Sequence, residues 1–183
     1  DLTPNLDLLA RPNTHVANSF TCQPVCGPAR ACLQTGQYPT QTGHWRNGNR
    51  PLTLEQPTLA QTFKEGGYDT AYIGKWHLGD HVSGPVPRKY RGDYDYWLAS
   101  NLLEMTSSDY HTTLWDQDEK PVVLPGYRVD AVADAMIRYI GSRAASAPVS
   151  YDTPLKAGEI ARPPAQQKKP FFLWVHLFDP HEP

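Results

Sequence analysis

An α/β fold around a mostly parallel central sheet is what this sequence predicts, from three observations. Stretches with strand character alternate along the chain with stretches of helical periodicity. The run Phe171 to Phe178 is almost wholly apolar, as a strand buried on both faces of a parallel sheet is. Three predicted strands lead directly into residue types that do chemistry, which suits a sheet whose carboxyl edge forms a crevice.

The elements follow in order. Thr3 is the N-cap and Pro4 the first residue of a short helix to Ala10. His15 to Phe20 alternates loosely, suits a strand and runs into Cys22 and Cys26. Pro28 to Thr35 reads as a helix closed by Gly36. Thr58 to Glu65 is a second helix, stopped by Gly66-Gly67, and Tyr68 to Ile73 a strand ending at Gly74-Lys75-Trp76-His77. Asp80 to Val123, rich in Pro, Gly, Tyr and Asp, reads as long irregular connections. Within it, Tyr94-Asp95-Tyr96-Trp97 suits a substrate pocket or a surface loop packed by its own aromatics. Tyr127 to Arg143 carries apolar residues at Val129, Val132, Ala133, Met136, Ile137 and Ile140, a helical stripe. Ala144 to Lys169 is polar and Pro-rich, a surface excursion before the last strand.

Composition sets the bounds. A chain of 183 residues, 39% hydrophobic and 11% aromatic, can bury a core of its own. A net charge of -2 without a long cationic block argues against a nucleic-acid surface. No stretch approaches the roughly 18 consecutive apolar residues of a membrane span. The opening Asp1-Leu2-Thr3-Pro4-Asn5-Leu6-Asp7 is polar and acidic, unlike a signal peptide, and reads as the middle of a domain, which leaves the compartment open. Cys22, Cys26 and Cys32 are odd in number and tightly clustered, against a disulfide scaffold, and give only one zinc-type pair where a zinc site needs two. Cys22 and Cys32 read as small buried residues. His15, His44, His81, His111 and His176 read as ordinary structural histidines, and Trp76 and Trp174 as core aromatics.

Chemistry collects at the predicted strand ends: Cys22 and Cys26 after one, Lys75 and His77 after another, Asp179 and His181 after the third. If these strands are parallel neighbours, a thiol-derived group, a Lys and two His meet in one crevice. Cys26 precedes the helix that starts near Pro28, where backbone N–H groups and the positive end of the dipole favour an anion. Arg30 and Lys75 add cationic charge. The expected substrate is an oxyanion, and the residues alone do not choose between phosphate and sulfate.

Cys26-Gly27-Pro28-Ala29-Arg30, continuing into Leu33-Gln34-Thr35-Gly36, resembles the C-x-P-[SA]-R…TG signature of the sulfatase family. Thr3 to Ala10 is similar to that family's N-terminal segment, Gly74-Lys75-Trp76-His77-Leu78-Gly79 to its second signature, and Phe171 to Val175 with Pro180-His181-Glu182-Pro183 to its third. Four segments in the right order make the resemblance specific. It implies that residues 1–183 are part of a catalytic domain with the alkaline-phosphatase-like sandwich. It also implies that Cys26 is oxidised by the formylglycine-generating enzyme to 3-oxoalanine (formylglycine), whose hydrate attacks the sulfur of a sulfated small molecule or glycan and then expels sulfate. By the same resemblance Arg30 holds the hydrate, Lys75 binds a sulfate oxygen, His77 is the base for elimination and His181 protonates the leaving alcohol. Ca²⁺, or another divalent cation such as Mg²⁺, polarises the sulfate with Cys26 among its ligands. The family's carboxylate metal ligands are an Asp pair ahead of the first motif and an Asp-Asn pair after the third, and neither is in this sequence, so the 183 residues alone are expected to be inactive. The alternatives are a formylglycine-dependent phosphonate or phosphate ester hydrolase, an inactive fragment that only binds, and a zinc module at Cys22 and Cys26.

Overall fold

The computed structural model describes residues 3–48, 50–145 and 169–177. A five-stranded mixed sheet in the order β4-β3-β2-β1-β5 lies between helices. Its strands are β1 (Asp69–Lys75), β2 (Tyr96–Ser100), β3 (Thr112–Asp116), β4 (Pro121–Leu124) and β5 (Phe171–His176). The helices are α1 (Pro4–Ala10), α2 (Cys26–Thr35), α3 (Pro39–Thr42), α4 (Leu59–Glu65) and α5 (Arg128–Ala145).

The parallel part of the sheet is β5-β1-β2, with Gly74 opposite His176 and Lys75 opposite Ser100. Three carboxyl ends therefore share one edge. The strands β3 and β4 extend the sheet antiparallel beyond β2. Successive residues of each strand face opposite ways, so the sheet builds two cores. One is largely aliphatic: Ala71, Ile73, Leu98, Leu114 and Leu124 pack against Ala131, Val132, Ala135 and Tyr139 of α5. The other is aromatic: Tyr72, Trp76, Tyr94 and Trp97 lie under Ala31 of α2 and Ala60 of α4.

The helix boundaries have local causes. In α4 the Thr58 hydroxyl accepts from the Gln61 amide at 3.3 Å while the Gln61 side chain accepts from the Thr58 amide at 3.0 Å, a reciprocal cap. Helix α2 ends at Gly36, whose φ of 67° lets its N–H reach the Cys32 carbonyl at 2.8 Å.

His15–Phe20 is not a strand: it pairs with none of the described strands, and its two large apolar side chains, Val16 and Phe20, are exposed. A strand needs a neighbour for its backbone groups, and alternation alone does not supply one. The stretch from Asp80 to Val123 is not simply irregular, since β2, β3 and most of β4 lie in it. Tyr94 and Trp97 are buried core residues rather than a surface loop. Most of the excursion expected between Ala144 and Lys169 lies outside the described residues.

Candidate active site at the carboxyl edge of the parallel strands

Cys26 is the first residue of α2, and Val25, its N-cap, offers no side-chain acceptor. Asn47 takes that part from across the loop. Its Oδ1 accepts from the Gly27 N–H at 3.0 Å and from the Cys26 thiol at 3.4 Å, while its Nδ2 donates to Cys26 Sγ at 3.1 Å. The group at position 26 is thus met by one donor and one acceptor. Gly27 leaves room for this cap: a Cβ there would lie 3.0 Å from Asn47 Oδ1.

Arg30 lies one turn along α2. Its Nη1 donates to the Cys26 carbonyl at 3.2 Å, and its Nη2 is 2.6 Å from Nε2 of His176, the last residue of β5. Burial pushes the Arg30 guanidinium below its ordinary value. Burial, and then the charges of Arg30 and Lys75, drive the His176 ring down to about 4, so it is neutral at physiological pH.

Lys75 ends β1 and is fully buried, with Nζ 2.7 Å from Glu104 Oε1. Burial lowers the Lys75 pKa, against the pull of Glu104, and Arg30 adds to the lowering. For Glu104 burial acts upward, but the bond from Lys75 and the charges of Lys75 and His77 outweigh it and hold the carboxyl below its usual range. His77 follows two residues after Lys75 at φ 60°, a left-handed conformation uncommon for a side-chain-bearing residue. Its N–H donates to the Asn101 carbonyl at 2.8 Å. The Asn101 side chain accepts from the Gly79 N–H at 2.8 Å and donates to the His81 carbonyl. The segment after β1 is therefore braced by the residue that follows β2.

The fold gathers Cys26, Arg30, Lys75 and His77 at one edge, while His181 lies outside the described residues. Asn47, Asn101, Glu104 and His176 lie at the same edge; sequence reasoning passed over the first three and read His176 as an ordinary structural histidine. Their contacts join residues 20 to 146 positions apart, where no local pattern signals them. Cys22 is exposed rather than buried, and Cys32 is buried.

A mixed α/β sheet whose parallel strands present these groups at their carboxyl edge has the alkaline-phosphatase-like fold. A family model described as Sulfatase matches residues 1–183, and the chain belongs to that family. It is 34% identical over 186 residues to an uncharacterized sulfatase of Escherichia coli K12, YidJ, covering 99% of this chain and 34% of that protein. It is 29% identical over 179 residues to an N-acetylglucosamine-6-O-sulfatase of Bacteroides thetaiotaomicron, covering 98% of this chain and 26% of that one. A structure solved in complex with its substrate D-glucosamine-2-N,6-O-disulfate superposes with a TM-score of 0.71 at 27% identity, over 98% of this chain and 30% of that one. The chain spans roughly a quarter to a third of the length of these curated relatives.

Proposed function

We propose that the protein hydrolyses a sulfate ester with Cys26, oxidised to formylglycine, as its nucleophile. The observation that carries this reading is the surrounding of Cys26: a helix start, a donor and acceptor from Asn47, and the Arg30 guanidinium one turn away. Donor plus acceptor fits a hydroxyl-bearing group, which a formylglycine hydrate is. When formed, that group supplies the hydroxyl that attacks sulfur. Arg30 orients it, Asn47 holds it, and Lys75 balances negative charge on the sulfate. His77 takes the proton whose loss releases sulfate, and His181 gives one to the leaving alcohol. Maturation by a formylglycine-generating enzyme is part of the proposal, and the relatives' names point to a sulfated sugar as the substrate class.

The Ca²⁺ that the family resemblance implies is not matched by the residues described. Among them no group of three or more His, Cys, Asp or Glu could hold a metal. Glu104, the carboxylate bound within the site, is held by Lys75. No step above depends on a metal.

The test is turnover of an aryl sulfate and of a phosphonate monoester by the full-length gene product and by its Cys26→Ala variant. Sulfate turnover lost in the variant is the expected result. Phosphonate turnover without sulfate turnover would replace this reading by the phosphonate hydrolase.

A further inference from the structure

We propose that His176 is a positioning residue for Arg30: a neutral imidazole at the carboxyl end of β5 that fixes the guanidinium in the orientation from which it serves position 26. The inference rests on the role proposed above for Cys26 and Arg30.

The geometry sets the chemistry of the contact. A guanidinium has only donors, so the 2.6 Å approach of Arg30 Nη2 to His176 Nε2 requires a lone pair on Nε2. The ring must then be neutral, with its proton on Nδ1. Two further features hold it so. The ring is largely buried, and the nearby cations Arg30 and Lys75 oppose a third positive charge. A neutral acceptor orients the guanidinium without cancelling its charge, which a carboxylate in the same place would do.

Arg30 is thereby anchored from two elements. Its other contact, Nη1 to the Cys26 carbonyl at 3.2 Å, lies within its own helix and leaves the planar fork free to pivot. The bond from β5 removes that freedom, as site geometry requires. The anchor is itself well placed. Gly74, at φ 110°, lets the His176 backbone approach β1 so closely that a Cβ on Gly74 would collide with the His176 carbonyl. The strand that carries Lys75 thus sets the position of the residue that sets Arg30.

The experiment uses the full-length gene product as wild type, His176→Leu, His176→Gln, Arg30→Ala and the two double variants. Peptide mass spectrometry first gives the aldehyde content at position 26, and steady-state hydrolysis of 4-nitrophenyl sulfate is then referred to it. His176→Leu should lower kcat about tenfold to hundredfold with KM unchanged, the effect of losing one hydrogen bond to a charged group. His176→Gln, which returns an acceptor at the Nε2 position, should recover most of the loss. Neither change should matter further in the Arg30→Ala background. Wild-type kcat in His176→Leu, or the same loss with and without Arg30, would overturn the proposal. A second readout is independent of turnover: ¹⁵N NMR of His176 should show Nε2 unprotonated at neutral pH, with a resonance that moves in Arg30→Ala. If wild type hydrolyses neither ester, the reading of Cys26 fails and the NMR result alone decides this one. A protonated Nε2, or one indifferent to Arg30→Ala, would then refute it.

Discussion

The two faces of the sheet are built to different standards. Under α5 the packing is mostly aliphatic: Ile73, Leu98, Leu114 and Val132 fill space, and shape is what they contribute. Under α2 and α4 it is aromatic and tied by polar tips. Trp76 donates to the Tyr90 carbonyl at 2.9 Å, Tyr94 to Gln34 at 2.9 Å and Tyr72 to the Lys75 carbonyl at 2.5 Å. Rings with one bonded end have a fixed orientation as well as a fixed place. This second face carries α2, and with it Cys26 and Arg30. The contrast teaches that the site is aimed by the aromatic face, while the aliphatic face supplies mainly stability.

Trp76→Ala removes a fully buried ring that packs edge-on to Tyr72 and Trp97, and should cost about 4 kcal/mol by chemical denaturation. Gly74→Ala, at a φ of 110° and against the His176 backbone, should cost about 3 kcal/mol and reduce activity in the molecules that fold. The third concerns pH. The His176 pKa falls from 6.5 to about 4 on folding, so below pH 6.5 the unfolded chain takes a proton that the folded protein refuses. Stability should decline as the pH falls from 6.5 to about 4 and level off below, by at most about 3 kcal/mol. Denaturation curves of His176→Gln should lack that segment. Leu114→Met, a near-equal volume on the aliphatic face, should cost less than about 1.5 kcal/mol and leave turnover as it was. A large loss of turnover in Leu114→Met would erase the distinction between the faces.

What was legible in the sequence were the elements that carry their own local signals. Pro28 and Gly36 marked helix α2, Gly66-Gly67 marked the end of α4, and the apolar run from Phe171 marked β5. The strands β2 to β4 were hidden because their four or five residues sit among Tyr, Asp and Gly that also favour turns. Their strand state comes from pairing with β1 and with each other, which is tertiary information. The site divides the same way. Cys26, Arg30, Lys75 and His77 stand in short motifs and could be nominated. Asn47, Glu104 and His176 could not, since each is a common residue type whose role exists only once distant segments meet.

In the proposed mechanism Cys26, alone of the three cysteines, is converted to the nucleophile. Peptide mass spectrometry of the full-length gene product, from a host that holds the maturation enzyme, tests this most directly. An aldehyde in place of the Cys26 thiol is expected in the tryptic peptide ending at Arg30. Cys22 in the same peptide should stay a thiol, because Pro24 stands at the offset of Pro28 but Cys26 occupies the offset where the Cys26 motif has Arg30. An aldehyde at Cys22, or an intact Cys26 thiol where a control sulfatase is converted in the same cells, would contradict it.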